Sequence, residues 1–168
     1  MDKKMFCFQC EQTVGCAGCT GNAGVCGKKA DTARLQDELT GALIGLARVV
    51  DSTTAISKRT GQVIIEGLFT TVTNVNFDDV SIENMIQKVR AEKERLVPDC
   101  SKCQSSCGKT DEYDMQQLWN ANEDIRSLKS LILFGIRGMA AYAYHANVLN
   151  YEDTEVNRFF CENFFKSG

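Results

Sequence analysis

The sequence predicts an all-α protein, a helical bundle of the three-helix-bundle type entered through an N-terminal cysteine-rich loop. Apolar residues recur at spacings of three and four through most of residues 30–168, whereas residues 6–28 are rich in Gly and Cys and show no apolar period. A single proline and few turn dipeptides agree with long helices. At 168 residues, 43% of them apolar and 24% charged, the chain has the makeup of a globular protein with one core or two small ones. The expected organisation is a cysteine-rich loop over residues 1–29 and a helical bundle over 30–168, together one domain.

Each element follows from local pattern. From Asp31 onward, where Asp31 or Thr32 can cap, Leu35, Leu39, Ala42, Leu43, Leu46 and Val50 form a buried stripe. Between Gly61 and Phe77, Val63, Ile64, Ile65, Val72, Thr73 and Val75 favour a strand, but the length and the lack of turn signals favour a helix, which is the reading adopted. A third helix starts near Asp78 or Ser81, buries Ile82, Met85, Ile86 and Val89, and stops before Pro98, whose ring disfavours a helical residue ahead of it. Asp114 and Gln117 resemble a capping box, opening a helix with Leu118, Trp119, Ile125 and Leu128. The pattern then turns apolar nearly all round, through Leu131, Ile132, Leu133, Phe134, Ile136, Met139, Tyr142 and Tyr144, which places this helix in the middle of the bundle. Arg137 and His145 interrupt the stretch, so it reads as a buried helix and not a membrane span. Last, Asp153 or Thr154 caps a segment with Val156, Phe159, Phe160, Phe164 and Phe165.

Composition excludes several functions. The formal net charge is -3 and no Lys/Arg run is concentrated enough to track phosphates, which argues against nucleic acid as a partner. The chain reaches Cys7 without the apolar run of about 7 to 15 residues that a secretory signal needs, so a cytoplasmic location is expected. No Ser-His-Asp arrangement, phosphate loop or dinucleotide fingerprint is present.

The nine cysteines are clustered: five between Cys7 and Cys26, three between Cys100 and Cys107, and Cys161 alone. In a reducing compartment clustered thiols bind metal more often than they form disulfides. Cys7-x2-Cys10, eight residues to Cys19 and six more to Cys26 supply four thiolates from one loop. Soft, electron-rich sulfur suits the irons of an iron-sulfur cluster, and the glycines at 15, 18, 21, 24 and 27 let backbone fold close around it. Structural zinc is the alternative, held by Cys7-x2-Cys10 with Cys16-x2-Cys19. Cys100, Cys103 and Cys107 lack an evident fourth ligand unless Asp99 or Cys161 joins them, and read as a cysteine-rich turn. His145, the one histidine, reads as a hydrogen-bonded core residue and not a ligand.

Met5-Phe6-Cys7-Phe8-Gln9-Cys10-Glu11-Gln12-Thr13, with Gly18-Cys19-Thr20 and Gly24-Val25-Cys26-Gly27-Lys28, closely resembles the N-terminal signature of hybrid cluster proteins, the family that includes hydroxylamine reductases. Leu35-Gln36-Asp37, the segment Thr71 to Asp78 and the segment Glu123 to Leu131 extend the similarity over essentially the whole chain. The resemblance implies an all-helical domain in which Cys7, Cys10, Cys19 and Cys26 bind the cluster. The gap of eight resembles the [4Fe-4S] subgroup and the gap of six the [2Fe-2S] one, while Cys16 is extra to the pattern. It further implies electron relay, from a reductase partner to a hybrid iron-sulfur-oxygen cluster that reduces hydroxylamine to ammonia in nitric oxide detoxification under nitrosative stress. The family's hybrid-cluster ligands lie in later α/β domains, and none can be carried onto this sequence. The chain is therefore expected to be an N-terminal portion serving electron transfer, and whether it is itself an enzyme stays open. Expected partners are an electron-donor protein and either the remaining domains of a longer enzyme or a second copy, through apolar surface along Phe159, Phe160, Phe164 and Phe165. Alternatively, the cysteine loops hold zinc in a non-enzymatic helical interaction module.

Overall fold

Burying an apolar stripe every three to four residues demands helices, and the computed structural model describes six of them in residues 5–10, 17–50, 56–96 and 112–165. They are α1 (Ala30–Val49), α2 (Lys58–Thr70), α3 (Asp79–Leu96), α4 (Met115–Trp119), α5 (Glu123–Val148) and α6 (Thr154–Phe165). Among the described residues there is no strand, so the all-α expectation holds. Pro98, Cys16 and the second cysteine group, Cys100, Cys103 and Cys107, lie outside the described residues.

The centre belongs to α1. From Leu39 to Ala47 every residue is buried, and the helix packs against α2, α3, α4 and α6. Its buried polar residues bond within the helix and to the loop after α2: Thr40 donates to the Gln36 carbonyl at 2.8 Å, and Gln36 Nε2 donates to the Asn76 carbonyl at 2.7 Å, while Gln36 Oε1 is buried without a partner among the described residues. Gly41 permits a closer approach still, since a Cβ there would overlap the Tyr113 carbonyl oxygen, and the Tyr113 amide donates to the Gly41 carbonyl at 3.1 Å. The expected caps Asp31 and Thr32 are not used. The helix starts a residue earlier, Asp31 sits in its first turn, and Thr32 Oγ1 donates to Asp79 at 2.6 Å, tying α1 to α3.

The third helix buries Ile82, Met85, Ile86 and Val89, as its spacing implies, and adds Glu92. The second is a helix but ends at Thr70, short of Phe77. Asn74 adopts a left-handed backbone (φ 63°), which a continuing helix excludes.

Three expectations about the C-terminal half are corrected. The helix opened by Asp114 is only five residues long. Asp114 caps the Gln116 amide at 2.9 Å, and Asn122 then caps Asp124 at 2.9 Å to start α5 afresh. Nor is α5 the middle of the bundle: it buries only Ser130, Leu133, Ile136, Arg137 and Ala140, mainly against α2. Leu128, Leu131, Met139 and Tyr142 face outward, Tyr142 at 83% exposure. An apolar circumference says that a helix can be covered all round, not that its own chain covers it. Conversely, Phe160 and Phe164 are fully buried on α6, which Asp153 caps through the Glu155 and Val156 amides. The apolar surface expected along the C-terminal phenylalanines thus lies on α5 instead, with Phe159 alone part-exposed on α6 among those described.

Candidate metal centre

Extended residues preceding α1 alternate their side chains, and the cysteine loop begins with such a segment. Met5, Cys7 and Gln9 are buried, while Phe6 and Phe8 turn to the Trp119 ring, with centroids 6.1 and 5.7 Å away. The Arg126 guanidinium stacks 5.2 Å from the Phe8 ring. Cys7 pairs with Cys19 in an isolated antiparallel bridge, so two thiol-bearing residues stand directly opposite each other. Gly18 makes the return possible, with φ at +80° and a Cβ position 3.0 Å from the Cys7 carbonyl oxygen. Together with Ala30, Ala33 and Met5, the pair packs on the first turns of α1.

Gln9 locks this segment to three others. Its Nε2 donates to the Ala33 carbonyl at 3.1 Å and to Asp37 Oδ1 at 2.7 Å, its Oε1 accepts from Lys28 Nζ at 2.7 Å, and its carbonyl accepts from Thr73 Oγ1 at 2.9 Å. The Trp119 indole donates to the other Asp37 oxygen at 3.1 Å. Burial raises the Asp37 carboxyl against the pull of these donors and of Arg137 and Lys28. Burial likewise pushes the Cys7 thiol up to about 11, despite the nearby Lys28 charge.

The other two cysteines differ in setting. Cys26 is exposed on a turn closed by Gly24 and Gly27, whose amides donate to the Lys28 and Gly24 carbonyls, each at 2.8 Å. Its Sγ lies 3.4 Å from the Cβ position of Gly24. Cys10 is half-buried beside a cavity of about 320 Å³ that it shares with Val72, Thr73, Asn74, Phe134, Arg137 and Gly138.

Of the expected ligands, Cys7 and Cys19 are brought together by the bridge. Among the described residues no three Cys, His, Asp or Glu side chains converge closely enough to hold one metal ion. Cys161 is apart from the loop, in the core of α6, where burial pushes its thiol up to about 12. His145 is an exposed residue and not a core one, packing edge-on against Phe69 with centroids 5.5 Å apart. Sequence reasoning named Gln9, Lys28 and Asp37 only within the family resemblance and Arg137 only as a break in an apolar stretch, and gave none of them a place at the site.

No described helix is long and apolar enough to cross a membrane. A family model described as the Prismane/CO dehydrogenase family matches residues 5–166. A hydroxylamine reductase of Methanococcus vannielii is 39% identical over 92% of this chain and 32% of its own length. Those of Clostridium perfringens and Porphyromonas gingivalis are 38% and 40% identical, over 96% and 95% of this chain and 33% and 32% of their own lengths. The chain thus spans about a third of the curated relatives it matches, their N-terminal third.

Proposed function

The chain belongs to the prismane/CO dehydrogenase family, and from that premise we propose that it is an electron-transfer part of a hydroxylamine reductase, holding an iron-sulfur cluster through Cys7, Cys10, Cys19 and Cys26. The observation that carries the reading is the Cys7–Cys19 bridge, which sets two of the four thiols opposite each other at the head of α1. The donor set also fits chemically. These four thiols are free, the loop around them is glycine-rich, and two buried cations, Lys28 and Arg137, stand near Cys7. Cations so placed suit a thiolate-ligated cluster, whose net charge is negative. We favour [4Fe-4S], with [2Fe-2S] as the alternative.

Such a cluster supplies one-electron transfer without exchange of its ligands. The chain's own residues do the rest. Gln9 fixes the backbone between Cys7 and Cys10 to α1, Gly18 allows Cys19 to return beside Cys7, and Phe6, Phe8 and Trp119 shield one side of the segment from water. The name of the relatives, hydroxylamine reductase, supports reduction of hydroxylamine as the electrons' destination. We propose a reductase protein as donor, and the uncovered face of α5 as the surface that meets either the rest of a longer enzyme or a second copy.

Iron content of single cysteine variants tests the ligand choice. Cys26→Ser should lose most of its iron and Cys16→Ser should keep it. The opposite pattern would show that Cys16 is the ligand, and a colourless protein containing zinc would favour the structural module.

A further inference from the structure

Although α5 is largely apolar, it carries one guanidinium into the interior: Arg137 is 4% exposed. Withdrawing that charge from water costs several kcal/mol unless hydrogen bonds and a counter-charge replace the lost hydration. Neither is complete here. Nη2 donates to Thr40 Oγ1 at 2.9 Å, but Nε is buried and finds no partner among the described residues. The groups whose charge acts on Arg137 are Asp37 and Cys7. Both Asp37 oxygens already accept other bonds, one from Gln9 and one from Trp119, and the buried Lys28 draws on the same carboxylate. Two buried cations around one carboxylate leave an excess of positive charge beside the cysteines. Arg137 also lines the cavity that holds Cys10.

We propose that Arg137 is the counter-charge of the iron-sulfur cluster and stabilises its reduced form. The inference rests on the cluster reading above. A thiolate-ligated cluster is anionic, and an electron accepted from a one-electron donor adds a further negative charge while no bond is made or broken. A buried cation at fixed position therefore favours the reduced state over the oxidised one and raises the potential. Arg137 acts on the cluster without ligating it, as a positioning and charge-setting residue.

The test compares anaerobically loaded wild type with Arg137→Met by spectroscopic redox titration. At a fixed potential near the midpoint, the ratio of reduced to oxidised cluster should fall about tenfold in Arg137→Met, about 59 mV for one electron. Arg137→Lys should recover most of the loss, and Thr40→Val, which removes the partner of Nη2 and the bond to the Gln36 carbonyl but no charge, should keep a potential near wild type. The cluster-free proteins give a readout of opposite sign. There the buried charge lacks its partner, so Arg137→Met should melt no lower than wild type. Loss of iron from Arg137→Met while its cluster-free form remains folded also supports the proposal, because the missing charge then weakens binding itself. A loaded Arg137→Met with wild-type potential would overturn it, as would a cluster-free Arg137→Met that melts well below wild type or fails to fold. A wild-type protein that takes up no iron overturns the cluster reading and this inference together, and is seen before any variant is compared.

Discussion

Cys7 and Cys19 exchange both backbone hydrogen bonds, the Cys7 amide donating at 3.0 Å and the Cys19 amide at 2.9 Å. The exchange depends on Gly18, whose left-handed backbone is strained for any other residue and whose Cβ position would crowd the Cys7 carbonyl oxygen at 3.0 Å. Gly18→Ala should cost about 1–2 kcal/mol of local strain. Because the strain falls on the loop and not on the helices, iron per chain should drop while helical circular dichroism is kept. Full iron occupancy in this variant would remove the bridge from the account.

Inside the core, Gly41→Ala sets a gain against a larger loss. Alanine favours a helix over glycine by about 1 kcal/mol, but its Cβ would overlap the Tyr113 carbonyl, and backbone cannot swing aside as a side chain can. Overpacking of this kind costs about 1–3 kcal/mol. At Gly67 the corresponding Cβ meets Leu43 Cδ2 at 2.7 Å, the end of a flexible side chain. Thermal melts should therefore rank Gly41→Ala below Gly67→Ala, and both below wild type.

Glu92 joins α2 to α3 from a fully buried position. Its Oε1 accepts from Thr60 Oγ1 at 2.7 Å and Arg95 Nη2 at 2.6 Å, and its Oε2 accepts from Arg59 Nε at 2.9 Å and Arg95 Nε at 3.0 Å. The Arg95 bond first, then Thr60 and the Arg59 charge, hold its carboxyl below the usual carboxylate range. A folded-state value below the unfolded one, about 4.3, means stability that is present above that pH and is lost as pH falls through the folded value. Glu92→Gln should cost about 2 kcal/mol at pH 7. Its melting temperature should also fall less steeply with acid than that of the wild type, and parallel acid profiles would contradict this origin.

The sequence made some of these features legible and hid others for physical reasons. Ile82, Met85, Ile86 and Val89 announce the buried face of α3 because regular spacing is all that a one-sided helix needs. Apolar count misplaced the centre, since α1 is buried through Gly41, Gly45, Thr40 and Gln36, whereas the more apolar α5 lies outside. The break before α5 was marked only by Asn120 and Asn122, inside a pattern whose apolar residues run on across it. At the site, the four cysteines are local in sequence and so visible. Gln9, Asp37, Trp119 and Arg137 meet only after α1, α4 and α5 have packed, and no short spacing records that.

Leu128, Leu131, Met139 and Tyr142 form an uncovered apolar face on α5, and surfaces of this kind tend to find partners. In isolation the chain should self-associate, with sedimentation coefficients that rise with concentration. Leu131→Glu should shift it toward monomer without lowering the melting temperature, because Leu131 is 66% exposed. A clean monomer at high concentration would count against a second copy on this face.

Iron and acid-labile sulfide analysis of anaerobically purified protein, with its visible spectrum, bears most directly on the electron-transfer reading. The account predicts iron and sulfide in near-equal amounts and a broad absorption band that bleaches with dithionite, both lost together in Cys7→Ser and Cys19→Ser. Colourless protein carrying zinc, or iron retained after either substitution, would contradict it.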